Sequence, residues 1–248
     1  MNETKPDTLQ AILTAAMDEF LEKGFQSASL RNIVKQAGVT TGAFYGYFSS
    51  KEALFEALVG EQYEYFMNCF CSAQQEFASL PAEAQPDQVG ITSGSCMREM
   101  LLYAYSHLKE FKLILCHSTG TRFAGMIDEM VRIELQATHD YLNVLKSLGR
   151  PAPPIDEHLE HILVTGMFNA FFELIIHEMP LPKRKLSRRD AGILYCRMAE
   201  DYGAVSPVIF IQRLVCANFF YSGLRLLLRS CMFRPGLAGI RTASDTFY

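Results

Sequence analysis

At 248 residues, with 49% hydrophobic and 20% charged side chains, the chain has enough apolar material for one large domain or two modest ones and is too apolar for a disordered class. A formal net charge of −4 gives no overall basic surface, so a nucleic-acid partner has to be met by a local patch. Seven scattered cysteines with no CxxC favour free thiols in a reducing compartment over a disulfide scaffold.

The start, "MNETKPDTLQ", lacks the basic opening and apolar stretch of a signal peptide. Near the other end, "VIFIQRLVCANFFYSGLRLLL" is broken by Gln212, Arg213 and Asn218. A central arginine costs about 2.5–3.5 kcal/mol on insertion scales, which counts against a spanning helix there. The expectation is a soluble, cytoplasmic protein with no membrane partner.

Nearly every segment carries helical periodicity, and no run alternates as strands do. Leu9, Ile12, Leu13, Ala16 and Phe20 share one face of a first helix, which Gly24 ends with Phe25 packed behind it. Ser29 is the expected N-cap of a second helix carrying Leu30, Ile33, Val34 and Ala37 on one side, and Gly38 breaks it. A third short helix starts at Thr40 or Thr41 and runs to about Tyr47. In "SSKE", Ser49 as N-cap and Glu52 at N3 make a capping box for a fourth, reaching about Phe77. Residues 79–95, 149–154 and 180–187 read as Pro/Gly/Ser-rich connectors, with helices over about 96–116, 122–147, 155–178 and 187–202 between them. The fold class is all-α: a head of three short helices with a helix-turn-helix, and a larger helical bundle behind it.

The stretch "GVTTGAFYGYFSSKEAL" (38–54) concentrates the chemistry. Two short helices joined at "QAGVTT" form a helix-turn-helix pattern, whose second helix enters the major groove. Gly42 and Gly46 cost about 1 kcal/mol each relative to Ala in a helix. They make sense as a bare edge that lets duplex DNA come close, with Phe44 and Phe48 wedged inward on the opposite side. Tyr45 and Tyr47 suit phosphate oxygens, and Thr41 and Ala43 are short enough for base edges. From Gly24 to Lys51 the basic residues are Arg31, Lys35 and Lys51, with no acid, so the local patch exists. An ordinary buried helical hairpin is the alternative, and the unfavourable glycines in an acid-free interval weigh against it.

"SLRNIVKQAGVTTGAFYGYFSSKEALFEAL" also resembles the DNA-binding domain of the tetracycline-repressor (TetR/AcrR) family of bacterial transcriptional regulators. Ile33, Ala37, Gly38, Val39, Gly42, Tyr45, Tyr47, Phe48, Lys51, Glu52 and Leu54 fall on the family pattern in register. The resemblance covers about residues 8–60. It implies a homodimer on a palindromic double-stranded operator, with a helical domain holding the dimer interface and a small-molecule effector pocket. By the same resemblance, Ser29 and Arg31 contact DNA from the second helix, Thr41, Gly42, Ala43, Tyr45 and Tyr47 from the recognition helix, and Lys51 from the fourth. Ala28, where a hydroxyl residue is common, and Gly46, where a larger side chain is common, depart from the pattern.

The expected domains are 1–52 (helix-turn-helix), 53–204 (effector binding and dimerisation) and 205–248 (an atypical extension with five Arg, no Lys and the single acid Asp245). Ile162 to Ile176 is apolar almost all round, with Gly166 and Ala170 four apart, so a second subunit's matching helix is the natural cover, together with 187–202. Phe66, Phe70, Met100, Tyr103, His117 and Phe168 are the candidates for lining the effector pocket, for an apolar or aromatic ligand. "DEHLEH" (156–161) reads as a solvated helix start rather than a metal site. No HExxH, GxSxG, GxGxxG or phosphate loop occurs, and neither a cofactor nor an enzymatic role is expected.

Overall fold

The structure is a computed structural model that describes residues 8–152 and 154–179. Among these the chain is helical with no strand, as its periodicity requires. The first three helices are α1 (Thr8–Ser27), α2 (Leu30–Gln36) and α3 (Thr41–Tyr45). α4 (Lys51–Ala78) then runs from the head into the larger domain, where α5 (Gln85–Ser106) packs along it. α6 (Leu108–Cys116), a single 3-10 turn (Arg122–Gly125), α7 (Met126–Ser147) and α8 (Glu157–Ile176) complete the bundle.

Local chemistry sets most of the ends. Gly24, at φ +72°, breaks the helical backbone inside α1, and the buried Phe25 beyond it packs against Phe20 and Phe55. The Thr40 hydroxyl caps α3 by accepting the Ala43 N–H at 3.1 Å. For α4 the cap is Ser50, which accepts the Ala53 N–H at 3.1 Å, not Ser49 as the capping-box pattern suggests. Ser29 does stand at the N-cap of α2, but its side chain makes no capping bond.

Two other expectations are corrected. The connector placed over 79–95 shrinks to a few residues, because α5 begins at Gln85. Pro86 falls in its first turn, where a missing N–H costs nothing. The helix expected over 96–116 is two helices, since His107 at φ −133° bends the chain between α5 and α6. The 187–202 helix and the 205–248 extension lie outside the described residues.

One continuous core joins head and body, from Ile12, Phe20 and Phe44 through Phe55, Phe66 and Met100 to Phe168, Phe172 and Ile175. α8 faces it with Val164, Met167, Phe168, Phe171, Phe172 and Ile175. By length and composition α8 is also apolar enough to cross a membrane. Its outer side carries Leu159, 49% exposed, Ile162, 64% exposed, and Gly166, around which a Cβ would meet open space.

Polar groups also tie the layers together. Gln74 donates to Glu134 at 2.6 Å between α4 and α7. Burial pushes the Glu134 carboxyl up to about 6, and the Gln74 bond draws it only partly back. Glu160, expected among the solvated acids of a helix start, is buried instead, 2.7 Å from His139 Nε2 on α7. The solvent-side role at that end falls to Asp156, whose carboxylate accepts the His158 and Leu159 N–H groups.

Candidate nucleic-acid interface

The short helix α3 owes its placement to two phenylalanines. Phe44 is fully buried and Phe48 nearly so, their rings 5.8 Å apart in the core with Ile33 and Val34. That anchorage turns the opposite side outward. Thr41, Gly42 and Gly46 are exposed, and Tyr45 and Tyr47 stand 56% and 49% exposed. A Cβ on Gly42 would meet only the Thr40 hydroxyl, at 4.0 Å, so this edge is open. Gly46 lies one residue past the helix, where its N–H closes the last turn onto Gly42 and Ala43. Ala43 is half-buried beside them.

The turn before α3 relies on Gly38, at φ +68°, a left-handed conformation that residues with a Cβ adopt at a cost. α2 presents Arg31 and Lys35 to solvent beside it. Ser29 is half-buried at the head of that helix.

Lys51 is placed differently from the others. Its ammonium donates to the Phe25, Gln26 and Ala28 carbonyls at 2.7, 3.2 and 3.2 Å, and stands 4.6 Å from the Phe25 ring centroid. Three donors meet three acceptors, so the cation closes the end of α1 onto the start of α4. Arg31 and Lys35 are left as the outward cations of the acid-free interval.

A second device was hidden in the sequence. Glu19 is 4% exposed and accepts from the Ser29 N–H at 3.0 Å, from Lys23 at 2.9 Å and from Asn32 at 3.3 Å. Burial alone would raise its carboxyl, but the Ser29, Lys23 and Asn32 bonds outweigh it and hold the group below the usual carboxylate range. The carboxylate therefore sits at the start of α2, where the backbone N–H and helix dipole favour negative charge. Nothing in the spacing separates Glu19 from the exposed Glu22. A bond across ten residues leaves no periodic mark.

Of the proposed effector-lining residues, Phe66, Phe70, Met100 and Phe168 share the buried core, and Tyr103 packs on it half-exposed. Phe70 meets Phe168 edge-on at 5.7 Å, and Phe66 lies 4.9 Å from Phe111. His117 is elsewhere: it ends α6 against the head, its carbonyl accepting the Phe25 N–H at 2.9 Å. Beside this junction Arg122 grips Glu56 at 2.5 and 2.9 Å and Glu64 at 3.1 Å, tying the 3-10 turn to α4.

The model of bacterial regulatory proteins of the tetR family matches residues 12–58, the span that holds the exposed edge of α3, α2 and Lys51. The HTH-type transcriptional repressor BepR of Brucella suis is 41% identical over 199 residues, which cover 71% of this chain and 90% of BepR. The chain belongs to the TetR family. The HTH-type transcriptional regulator YvdT of Bacillus subtilis is 51% identical over 49 residues, 20% of this chain and 25% of its own length. The match thus spans about a quarter of that relative. A solved TetR-family regulatory protein from Rhodococcus RHA1, 16% identical, aligns over 85% of this chain and 98% of its own with a TM-score of 0.47. TetR-family proteins are helix-turn-helix transcriptional regulators, and all eight residues put forward for DNA contact fall inside the matched span.

Proposed function

We propose that this TetR-family protein is a cytoplasmic repressor that binds a palindromic double-stranded operator as a homodimer and releases it when a small apolar or aromatic effector binds. On this reading residues 1–52 read DNA, 53–204 bind effector and dimerise, and 205–248 are an extension. The observation that carries the DNA part is the open edge of α3: Thr41, Gly42, Tyr45 and Tyr47 exposed on a helix held from behind by buried Phe44 and Phe48. Thr41, Gly42 and Ala43 reach base edges, while Tyr45, Tyr47, Ser29 and Arg31 hold phosphates. The Lys51 ammonium is already committed to backbone carbonyls, so it supports the interface by fixing α4 to the head.

The two outward cations of α2 among the described residues supply few phosphate contacts, which favours a dimer with two recognition helices about 34–36 Å apart. The outer side of α8, with Leu159, Ile162 and Gly166 uncovered, supports the dimer. The aromatic cluster of Phe66, Phe70, Met100, Tyr103 and Phe168 supports an apolar or aromatic effector, with His117 at the junction transmitting its presence to α1. An effector shifts the balance only by its differential affinity for the two head spacings.

The test is fluorescence anisotropy with duplex DNA from upstream of the protein's own gene. Specific binding is expected, with Tyr45→Ala weakening it about tenfold, some 1.4 kcal/mol, at an unchanged melting temperature. Equal binding to scrambled duplex, or an unaffected Tyr45→Ala, defeats the reading. Ile162→Glu should halve the molar mass seen by light scattering, and a monomeric wild type would remove the dimer.

A further inference from the structure

Cys69 on α4 and Cys96 on α5 meet across the interface of those helices. The Cys96 thiol lies 3.8 Å from the Cys69 carbonyl oxygen and 3.4 Å from the Met100 sulfur, so the Cys96 sulfur sits against the stretch of α4 that carries Cys69. Cys96 is buried, whereas Cys69 is half-buried and keeps an opening to solvent. Cys71, two residues further along α4, belongs to another surface, its nearest charges being Glu129 and Arg132 of α7. Cys116 is exposed at the end of α6.

The two sulfurs are chemically unequal. The neighbouring Cys96 side chain holds the Cys69 thiol below its ordinary range, while the Cys69 side chain together with burial pushes Cys96 up. The thiolate is the attacking form, so the more open sulfur is also the more reactive one.

We propose that Cys69 and Cys96 are an oxidation site that closes to a reversible disulfide on exposure to a hydroperoxide. The Cys69 thiolate attacks the peroxide, the O–O bond breaks, and a sulfenic acid forms at Cys69. With hydrogen peroxide the departing hydroxide takes up the thiol's proton and leaves as water. The Cys96 sulfur then attacks the Cys69 sulfur, the S–O bond breaks, and the hydroxyl leaves with the Cys96 proton as a second water. The two sulfurs give up two electrons in all, and one peroxide is reduced. The Cys96 sulfur starts 3.8 Å from the Cys69 carbonyl oxygen, and the product bond is about 2.05 Å long. It fastens α5 to the middle of the helix that carries the head on its first turn. Neither the chemistry nor its test depends on the operator reading.

The full-length protein, reduced and then treated with hydrogen peroxide, is alkylated and cut after glutamate. The expected product is peptide 65–76 joined to peptide 84–99, absent without peroxide and released by dithiothreitol. Cys71→Ser keeps the joined peptide and Cys69→Ser abolishes it, with a thermal melt confirming that both variants are folded. The wild-type map needs no variant to be read. Recovery of the two peptides unjoined, joining that survives Cys69→Ser, or a bond from either to Cys116, Cys196, Cys216 or Cys231 overturns the proposal.

Discussion

The head and the larger domain are held together over different lengths of chain. In the head, Glu19 reaches Ser29 across 10 residues and Lys51 reaches Phe25 across 26. In the larger domain Gln74 meets Glu134 across 60, Arg122 meets Glu56 across 66, and Tyr105 donates to the Leu174 carbonyl across 69. Short closures cost less chain entropy, so the head assembles from nearly local contacts. Its surface can then be given over to tyrosines, bare glycine and two cations, because caps and two polar anchors hold the three small helices. The larger domain instead rests on aromatic packing between helices distant in sequence, and it keeps an apolar outer side on α8.

Four measurements sharpen or break this contrast. Phe44→Ala should have the largest effect, about 3–5 kcal/mol from the loss of a fully buried ring, read as a lowered melting temperature with loss of DNA binding. A folded, DNA-binding Phe44→Ala protein would mean that α3 does not depend on that anchor. Lys51→Ala comes next, at about 1.5–3 kcal/mol for hydrogen bonds from a charged donor. It should lower the melting temperature and leave the salt slope of DNA binding unchanged. A slope reduced by about 0.9 per subunit at an unaltered melting temperature would instead make Lys51 a phosphate contact.

Glu19→Gln should lower stability by about 1 kcal/mol or more, since Gln still accepts from the Ser29 N–H but loses the charge that meets Lys23. Its pH signature distinguishes it from a packing defect. The folded carboxyl titrates below the ordinary 4.5, so its contribution is present above that value and lost as pH falls through the lower folded value. Wild type and variant should converge in acid. Glu134→Gln is the opposite case, a gain of stability where the others lose it. The folded value of about 6 lies above the ordinary 4.5, so the folded state holds more proton between them and stability falls as pH rises through that window. Glu134→Gln should remove the dependence and stabilise the protein at neutral pH by about 1–2 kcal/mol. A destabilised variant would show that the charge at Glu134 is needed.

How much the sequence disclosed follows the same division. The head's turns, its buried Phe44 and Phe48 and its exposed tyrosines are readable because each follows from a spacing of three or four residues or a Gly at a break. The carbonyl contacts of Lys51 were not legible, since family pattern and local charge say that it is cationic, not which way its ammonium turns. Glu19, Glu134 and Glu160 were missed or taken as solvated, because the partner that buries each lies on another helix. The main-chain tie at His117, a candidate for the effector pocket, was equally illegible, because the Phe25 N–H that its carbonyl accepts lies on another helix. α5 was begun too late because Pro86, Gly90 and Gly94 resemble a linker, and only its packing along α4 makes the stretch helical.

The bond between the Phe25 N–H and the His117 carbonyl joins the larger domain to the head through main-chain atoms alone. Any residue but proline can donate at position 25, and every residue can accept at position 117. This tie therefore survives a change of side chain at position 117, whereas the packing of Phe20 and Phe25 on Phe55 beside it does not survive one at position 55.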